Sequence, residues 1–519
     1  MSSSKLSTKQ HSQREVIQEN GKAPHKEDTS TKKDADEGIK ISDSESTSTL
    51  KREFFQLRPS LLDELEENSE IRKSKFRGVF MALYLLIFTF LLSKPIQNFI
   101  KNGYAFSPVL FNSFKNDFLL CIVTWPLFYA WSYTAFILQK LILFGLNDKL
   151  ASILQHSTQS AIFIYTIYMT YTRDWCSTHA TFCCLLACSH FMKMHSYTQA
   201  NKKYREIYLR SQKNNSLKKK ILGNKEFSDE DKKAAISSQD QQKQKGKTNG
   251  KNNSNNQNVE DSEDEDKDQA KDIPYPQNIN IKNFTLFMWM PVLIYEKSYP
   301  RSPKVRIWYI LLKSTITAFC ILAAYAIWTD YVMPVIQLGH TIHRIELVFQ
   351  LLLPLGAFNM CLFYILFENI LGVFAEITRF GDRKFFDDWW NCTSYEEYNR
   401  KWNRPVHLFL YRHVYLECLE VKKTSKFTAQ LVTFFFSALL HEWIAVMVFR
   451  IVRPILFGFM LFQIPLFFMM KPFKGHALGN AIFWFGLFMG PTLIAVGYLR
   501  SDEYVTHYFS YQWYTQNDL

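Results

Sequence analysis

The sequence lacks several patterns that would place it in a common class of secreted protein. Its nine cysteines include no pair at CxxC spacing, and Cys183, Cys184 and Cys188 lie inside an apolar run. Cysteines in such a run are expected as small apolar residues, so we expect all nine thiols to be reduced and exclude a disulfide scaffold. The N-terminus has no apolar core of a signal peptide, so the first apolar span is expected to direct membrane insertion.

The sequence also lacks the pattern of a nucleic-acid-binding protein, despite its basic balance. The formal net charge is +13, but the basic residues do not interleave with a recognition motif and lie mostly beside apolar segments. The mean hydropathy of -0.15 averages polar stretches with strongly apolar ones, and 16% of the residues are aromatic. The aromatic content and the length of the apolar segments argue against a soluble globular enzyme.

Nine apolar segments predict an all-α polytopic membrane protein, built as a bundle of about nine transmembrane helices. Arg72, Lys73, Lys75 and Arg77 precede the first segment, which predicts a cytosolic N-terminus by the positive-inside rule. The predicted spans are Gly78–Leu92, Phe118–Leu138, Ile153–Tyr171, Trp175–Met192, Val305–Trp328, Ile345–Ile377, Phe427–Phe449, Ile455–Met470 and Leu478–Leu499.

Two polar stretches divide the chain outside these spans. Residues 1–52 are rich in Ser, Thr, Lys and Glu, and they predict a disordered cytosolic tail because they cannot bury enough apolar surface to offset the entropy of ordering. Residues 53–200 hold the first four predicted spans. Residues 201–272 are Lys-rich and then acidic, which predicts a disordered charged cytosolic loop, with a regulatory or partner-binding segment as the alternative. Residues 273–519 hold the remaining spans.

The segment 380–402 combines acidic pairs, cations and large aromatic residues between two predicted spans. One interpretation is an interfacial belt, because Trp and Tyr rings settle at headgroup depth. The other is a binding surface for a ligand with an adenine-like ring, phosphates and an apolar tail. Just beyond this segment, Asn403 and His407 stand four residues apart, so on a helix they share one face.

A second polar feature is His441-Glu442 inside the apolar run of the seventh predicted span. Ionisable groups are costly to bury in a membrane, so this pair is expected to face a cavity or a partner. A zinc helix of the HExxH type is excluded, because Ala445 occupies the position of the second histidine. The remaining interpretations are a histidine hydrogen-bonded between helices and a general base in a hydrophobic tunnel.

The run Phe385 to Asn391, FFDDWWN, resembles the FYxDWWN signature of the membrane-bound O-acyltransferase (MBOAT) family, with Phe386 where the family has Tyr. The resemblance extends from about Gly78 to Tyr504 except for the polar insert. It implies that His441 matches the family's catalytic histidine, here followed by Glu-Trp where Glu-Tyr is usual.

The similarity lies with the branch of the family that holds the diacylglycerol and sterol acyltransferases, and it is strongest with the type-1 diacylglycerol acyltransferases. One position departs, since Gly490-Pro491-Thr492 stands where that subgroup has a Gly-Gln pair, and this leaves the acceptor alcohol open. The matching segments are Asn403-Arg404-Pro405-Val406-His407, Tyr411-Arg412-His413, Gln463-Ile464-Pro465-Leu466 and Gly479-Asn480.

The resemblance implies an acyl-CoA:diacylglycerol O-acyltransferase with an MBOAT-like bundle, in which 273–519 is the catalytic part. His441 would be the general base, Asn403 would support the oxyanion, and Glu442 with His407 would orient the imidazole. No metal and no cofactor is expected, because the thioester of the co-substrate acyl-CoA is already activated. The residues implied to bind substrate are Phe385, Phe386, Asp388, Trp389, Trp390, Asn391, His407 and Gln463.

The resemblance further implies a homodimer or a dimer of dimers in the endoplasmic reticulum membrane. Sterol O-acyltransferase is the alternative enzyme, and wax-ester or retinol acylation stays open. A transporter is the alternative outside enzymes, although such a protein would show two related halves with broken helices, and the sequence has no such internal repeat.

Overall fold

The structure is a computed structural model that describes residues 55–63, 69–106, 115–173, 175–223 and 273–499. Within these ranges the chain is helical, with two isolated β-bridges and no strand. The predicted tail 1–52, most of the predicted charged loop and residues 500–519 lie outside the described residues. The helices used below are α1 (Arg77–Asn102), α2 (Phe118–Leu143), α3 (Asp148–Thr172), α4 (Ser177–Gly223), α5 (Ile281–Trp289), α6 (Ile307–Gln337), α7 (Arg344–Ile377), α8 (Tyr395–Lys401), α9 (Arg404–Leu410), α10 (Lys426–Phe449), α11 (Ile455–Met469) and α12 (Ala477–Leu499).

The prediction of an all-α, multi-pass membrane protein is confirmed. Five of the described helices, α2, α6, α7, α10 and α12, are long and apolar enough to cross a membrane. Each of the nine predicted spans coincides with one long helix, but α11 has 15 residues and α3 carries polar residues along much of its length. The count of nine spans therefore stays a prediction.

Helix α4 continues well past the predicted end of its span. It runs without a break to Gly223, so the first part of the predicted disordered loop, up to that residue, is helical. Lys is the commonest residue of this extension, and it is a good helix former because its long unbranched side chain loses little freedom in a helix. The periodicity of apolar residues ends near Met192, which is why the sequence analysis placed the boundary too early.

A short helix that the sequence analysis missed, α5, lies between the fourth and fifth predicted spans. It buries Phe284, Phe287 and Met288 against α2 and α4. The buried Lys193 of α4 donates hydrogen bonds to the carbonyl oxygens of Phe287, Met288 and Met290, at 3.0, 2.8 and 2.6 Å. An ammonium group at the C-terminus of a helix satisfies carbonyls that have no partner in the helix. Lys193 thus fixes the end of α5.

Helices α6, α7 and the continuation of α9 each contain a π-helical turn. The turn in α7 spans Tyr364–Ile370 and carries the buried Glu368. Its carboxylate accepts hydrogen bonds from Lys313 of α6, at 2.8 Å, and from the hydroxyl of Ser60, at 2.5 Å. The segment 55–63 is thereby held against the start of α6 and the end of α7, and the segment 380–402 follows α7.

Candidate active site

The aromatic residues of the FFDDWWN run form part of the protein core. Phe386 and Trp389 are 1% and 3% exposed, and Phe385 is also buried. The ring of Trp389 packs at 5.2 Å from that of Phe363 and at 5.0 Å from that of Trp402. Three of the residues predicted to bind substrate therefore act first as a rigid support for their neighbours. Their direct contact with a ligand stays a prediction.

Phe386, which stands where the family has Tyr, is surrounded by other aromatic rings. Its ring lies 4.9 Å from Phe363, 6.2 Å from Trp390 and 6.5 Å from Phe367. A buried phenol requires a hydrogen-bond partner, whereas phenylalanine packs in an apolar pocket without one. The aromatic pocket around Phe386 therefore suits a phenylalanine ring, which has no hydroxyl to satisfy.

The charged residues of the same run lie on its outer side in short ion pairs. Asp387 pairs with Lys384 at 3.0 Å, and Lys401 pairs with Asp388 at 2.9 Å and with Glu397 at 2.7 Å. Burial opposes ionisation of Asp387, but the hydrogen bond and charge of Lys384 hold its pKa below the usual range. The Asp387 carboxylate is thus ionised at neutral pH. Asn391, at the end of the run, is exposed.

Ion pairs also anchor the start of the segment to distant parts of the chain. Asp382 is buried and accepts from Arg58 through two nitrogen atoms, at 3.2 and 2.6 Å. The buried Glu376 of α7 holds Arg306 at 2.9 Å and also pairs with Arg383. Bidentate pairs of this kind constrain orientation as well as distance. The segment that leads into FFDDWWN is therefore fixed in place from two sides.

Helix α12 fastens the other end of the run. Asn480 donates from Nδ2 to the carbonyl oxygens of Trp390 and Cys392, both at 2.9 Å. Gly479 allows this approach, because a Cβ atom there would lie 3.1 Å from the carbonyl oxygen of Thr393 in the segment and 2.3 Å from that of Phe473 in the preceding turn. One helical turn of α12 thus contacts the backbone of the segment. Gly479 permits the close packing, and Asn480 makes the hydrogen bonds.

Asn403 and His407 lie on one short helix, as their spacing predicts. Asn403 caps α9, since its Oδ1 accepts from the backbone N–H of Val406 at 3.2 Å. The ring of His407 stacks on that of Tyr411. Burial lowers the pKa of His407 to about 4, with further contributions from the charges of Arg400 and Arg404. His407 is therefore neutral at physiological pH.

His441 lies in the middle of α10, and its ring makes one hydrogen bond within the described residues. Nδ1 lies 2.8 Å from the carbonyl oxygen of Ser437. A carbonyl oxygen only accepts, so Nδ1 carries the proton and Nε2 presents a lone pair. The side chain of His441 is exposed rather than packed within the described part of the chain, so Nε2 is accessible.

Glu442 is engaged elsewhere than at the imidazole it was predicted to orient. Its Oε2 accepts from the backbone N–H of Phe457 at 2.8 Å, and its Oε1 accepts from the hydroxyl of Tyr498 at 2.8 Å. Pro454 immediately precedes α11, and its side chain makes no capping hydrogen bond. A carboxylate at a helix N-terminus satisfies free N–H groups and favours the helix dipole. Glu442 thus joins α10, α11 and α12.

Gln463 of α11 contacts α8, the short helix that follows the FFDDWWN run. Its Oε1 lies 3.5 Å from Nδ2 of Asn399, which is a weak hydrogen bond. The π-helical turn Tyr411–Tyr415 that continues α9 packs against α10, the helix that carries His441. The structure therefore brings α8, α9, α10 and α11 together, so the predicted residues Asn403, His407, His441 and Gln463 belong to adjoining elements.

The sequence analysis missed the contribution of the residues just before α1. Arg58 and Asp382 are separated by 324 positions, so no local pattern connects them. The backbone of Arg58 also bonds the backbone of Gly381 and Arg383, at 3.1 and 2.7 Å. A single Arg between Leu57 and Pro59 gives no signal of such a role.

With this geometry in place, a comparison with protein families decides the assignment. Residues 160–500, well over half of the chain, match the family described as MBOAT, membrane-bound O-acyltransferase. The chain belongs to the membrane-bound O-acyltransferase family. It is therefore an acyltransferase of lipid metabolism, and acyl-CoA together with a lipid acceptor fits its family.

Individual MBOAT relatives carry two different names. Probable sterol O-acyltransferase 1 of Schizosaccharomyces pombe is 26% identical over 465 residues, which is 86% of this chain and 86% of that protein. Sterol O-acyltransferase 1 of Saccharomyces cerevisiae is 36% identical over 252 residues, 44% of this chain and 41% of the relative. Diacylglycerol O-acyltransferase 1A of Glycine max is 36% identical over 225 residues, 41% of this chain and 45% of the relative.

Proposed function

We propose that this acyltransferase transfers the acyl chain of acyl-CoA to the free hydroxyl of diacylglycerol and so makes triacylglycerol. The observation that carries the proposal is the state of His441. Its Nδ1–H is bonded to Ser437, so Nε2 is available inside the membrane-embedded part of the chain as a proton acceptor. An acceptor that is an apolar alcohol would reach this atom through the lipid phase.

The reaction follows from these groups. Nε2 of His441 takes the proton of the alcohol as its oxygen attacks the thioester carbon, and the carbonyl becomes an oxyanion. The amide of Asn403 supports that oxyanion. The C–S bond then breaks, and the CoA thiolate takes the proton back from the imidazolium. Because a thioester is activated already, the scheme uses no metal, no cofactor and no covalent acyl-enzyme.

The CoA portion is proposed to bind at the outer side of the FFDDWWN run. Trp390, Asp388 and Asn391 lie at the accessible side of the segment, while Phe385, Phe386 and Trp389 support it from the core. His407 and Gln463 extend this surface along α9 and α11. Glu442 stays the residue proposed to tune His441, and its bond to the backbone N–H of Phe457 also holds the start of α11, the helix of Gln463.

The cellular setting of the proposal is a multi-pass protein of the endoplasmic reticulum membrane with a cytosolic N-terminus, active as a homodimer or homotetramer. In that orientation the segment 380–402 faces the cytosol, where acyl-CoA is made. The basic residues before α1 support this orientation.

A sterol acceptor is the second candidate, and a specific observation favours it. The Schizosaccharomyces pombe relative, which covers 86% of the chain, is named a probable sterol O-acyltransferase. In addition, Gly490-Pro491-Thr492 replaces the Gly-Gln pair of the diacylglycerol enzymes. The chemistry at His441 would be the same for either alcohol.

The proposal is tested with purified protein in nanodiscs, radiolabelled oleoyl-CoA, and diacylglycerol and cholesterol offered in parallel. Triacylglycerol formed by wild type but not by a folded His441→Ala variant is the expected result. Steryl ester as the main product would move the assignment to the second candidate. Absence of transfer to either lipid would contradict the proposal and favour other alcohols or a transport function.

A further inference from the structure

The residues 55–63 form a strap that is hydrogen-bonded to the beginning of the segment 380–402. The backbone N–H of Arg58 donates to the carbonyl oxygen of Gly381 at 3.1 Å, and the N–H of Arg383 donates to that of Arg58 at 2.7 Å. These two bonds run in opposite directions, so they fix the strap along the segment as well as beside it. The strap is therefore paired with the residues that lead into the FFDDWWN run.

Two charged side chains of the strap dock onto groups of opposite charge. Arg58 contacts the buried Asp382 through two nitrogen atoms, at 3.2 and 2.6 Å. Asp63 is also buried, and its Oδ1 lies 3.3 Å from Nζ of Lys313 in α6. Its Oδ2 accepts from the hydroxyl of Tyr309 at 2.5 Å. The strap thus brings one cation and one anion, and each meets a partner that offsets the cost of its burial.

Ser60 stands between these two charged residues in the chain, and its hydroxyl contacts a carboxylate. Its Oγ donates to Oε2 of the buried Glu368 at 2.5 Å, while Nζ of Lys313 donates to Oε1 at 2.8 Å. An ionised carboxylate only accepts hydrogen bonds. The position of Ser60 therefore suits a small neutral donor and opposes a second anion.

The ammonium group of Lys313 is already shared by two buried carboxylates, those of Asp63 and Glu368. Two further cations beside this site are engaged by a carboxylate of their own, namely Arg306 and Arg383 with Glu376. A buried charge is stable only when it is paired. A third negative group at the position of Ser60 would face Glu368 and compete for the same ammonium.

We propose that the strap is a charge-sensitive latch on the acyl-CoA-binding segment and that Ser60 is its release point. The proposal rests on the proposed function, because it takes acyl-CoA to bind at the FFDDWWN run. A negative charge at Ser60 is repelled by Glu368, undocks the strap and so withdraws Arg58 from Asp382. Phosphorylation of Ser60 in the undocked strap would prevent docking in the same way, since a phosphate group carries close to two negative charges.

The test compares Ser60→Asp with Ser60→Asn, which is matched in size and carries no charge, in the full-length protein in nanodiscs. Hydrogen–deuterium exchange of residues 55–63 reports docking, because the amide of Arg58 is bonded to Gly381 in the docked strap. Ser60→Asp should increase this exchange and raise KM for acyl-CoA about tenfold with little change in kcat, since coupling between two sites is typically roughly 5- to 150-fold. Ser60→Asn should change both quantities much less.

The double variant Ser60→Asp with Glu368→Gln restores the number of negative charges at the site, so it should recover slow exchange and the wild-type KM. Exchange in α4 shows whether each variant is folded. If Ser60→Asp alone folds poorly, failure of the double variant to fold normally would overturn the proposal.

Three further outcomes would contradict the latch. Unchanged exchange in Ser60→Asp would show that charge does not release the strap, and equal effects of Asp and Asn would assign the release to size. Faster exchange with an unchanged KM would show that docking does not affect the acyl-CoA site. Exchange is measured without substrate, so absence of acyl transfer by wild type would contradict the proposed function and leave the exchange result to decide on the latch.

Discussion

The FFDDWWN segment and the surroundings of His441 are held in opposite ways. The segment is fixed by an ion pair to the residues 55–63, by ring packing against α7 and by hydrogen bonds from the side-chain amide of Asn480 in α12. The imidazole of His441, in contrast, makes one hydrogen bond within the described residues, to its own helix. Dense bonding preserves the shape of a surface, whereas a reacting group must keep one atom available for substrate. The following variants test this division from the largest expected effect to the smallest.

His441→Ala removes the proton acceptor and should lower the rate of acyl transfer by about 1,000-fold or more. The unfolding temperature should change little, because within the part of the chain that the structure describes the ring bonds one group, the carbonyl of Ser437 in its own helix. Acyl transfer and thermal unfolding are measured on the same preparation. A large loss of stability would place His441 among the structural residues and break the comparison.

Asn403→Ser separates the two roles given to this residue. Serine retains the cap on α9, since Ser and Asn are similarly good N-caps, but it removes the amide donor. We expect normal stability and a decrease in kcat of about 100-fold, as for loss of one oxyanion donor. Asn403→Ala, which also loses the cap, should be less stable by about 1 kcal/mol. Full activity of the Ser variant would leave only the capping role.

Gly479→Ala tests the contact between α12 and the segment. The added methyl group would lie 3.1 Å from the carbonyl oxygen of Thr393 in the segment and 2.3 Å from that of Phe473, and both are backbone atoms that cannot turn away. A cost of about 1–3 kcal/mol in the free energy of unfolding is expected from such overpacking. Gly490→Ala is the control on the same helix, because its methyl group would meet nothing within 4 Å. Similar destabilisation by both would show that the glycine contact has no special importance.

Arg58→Ala tests the anchor at the other end of the segment. It leaves the buried carboxylate of Asp382 without its bidentate partner, and we expect a loss of about 1–2 kcal/mol after allowing for solvent around Arg58. KM for acyl-CoA should rise more than kcat falls. A double-mutant cycle with Asp382→Asn measures the coupling. Additive effects of the two substitutions would contradict the anchor.

His407 predicts the smallest effect at neutral pH, because its contribution to stability changes only as the pH is lowered. Burial holds its pKa at about 4 in the folded protein, whereas an unfolded histidine titrates near 6.5. Between these values the unfolded state binds more protons, so stability should fall as the pH is lowered from about 6.5 to about 4. Unfolding temperatures measured across that range should vary less in His407→Gln. An identical pH dependence in both proteins would show that other groups dominate.

The helices and the protein family were predictable because the sequence patterns that mark them are local. Runs of apolar residues mark the spans, the FFDDWWN run is a contiguous motif, and His441 stands out as an ionisable residue within an apolar run. The extension of α4 to Gly223 was not predictable, because a polar helix has no apolar periodicity by which it could be recognised. The contacts of Glu442 were not predictable either, because its partners Phe457 and Tyr498 lie 15 and 56 positions further along the chain.

The sequence by itself determined that this protein is an all-α, multi-pass membrane acyltransferase of the MBOAT family. Apolar length and a contiguous motif are enough for that, because both act over a few neighbouring residues. Only the tertiary structure decided that Arg58 holds Asp382, that Glu442 joins three helices, and that the aromatic residues of the motif are core. These are contacts between residues far apart in the chain, and packing selects them among many pairings that the sequence alone allows.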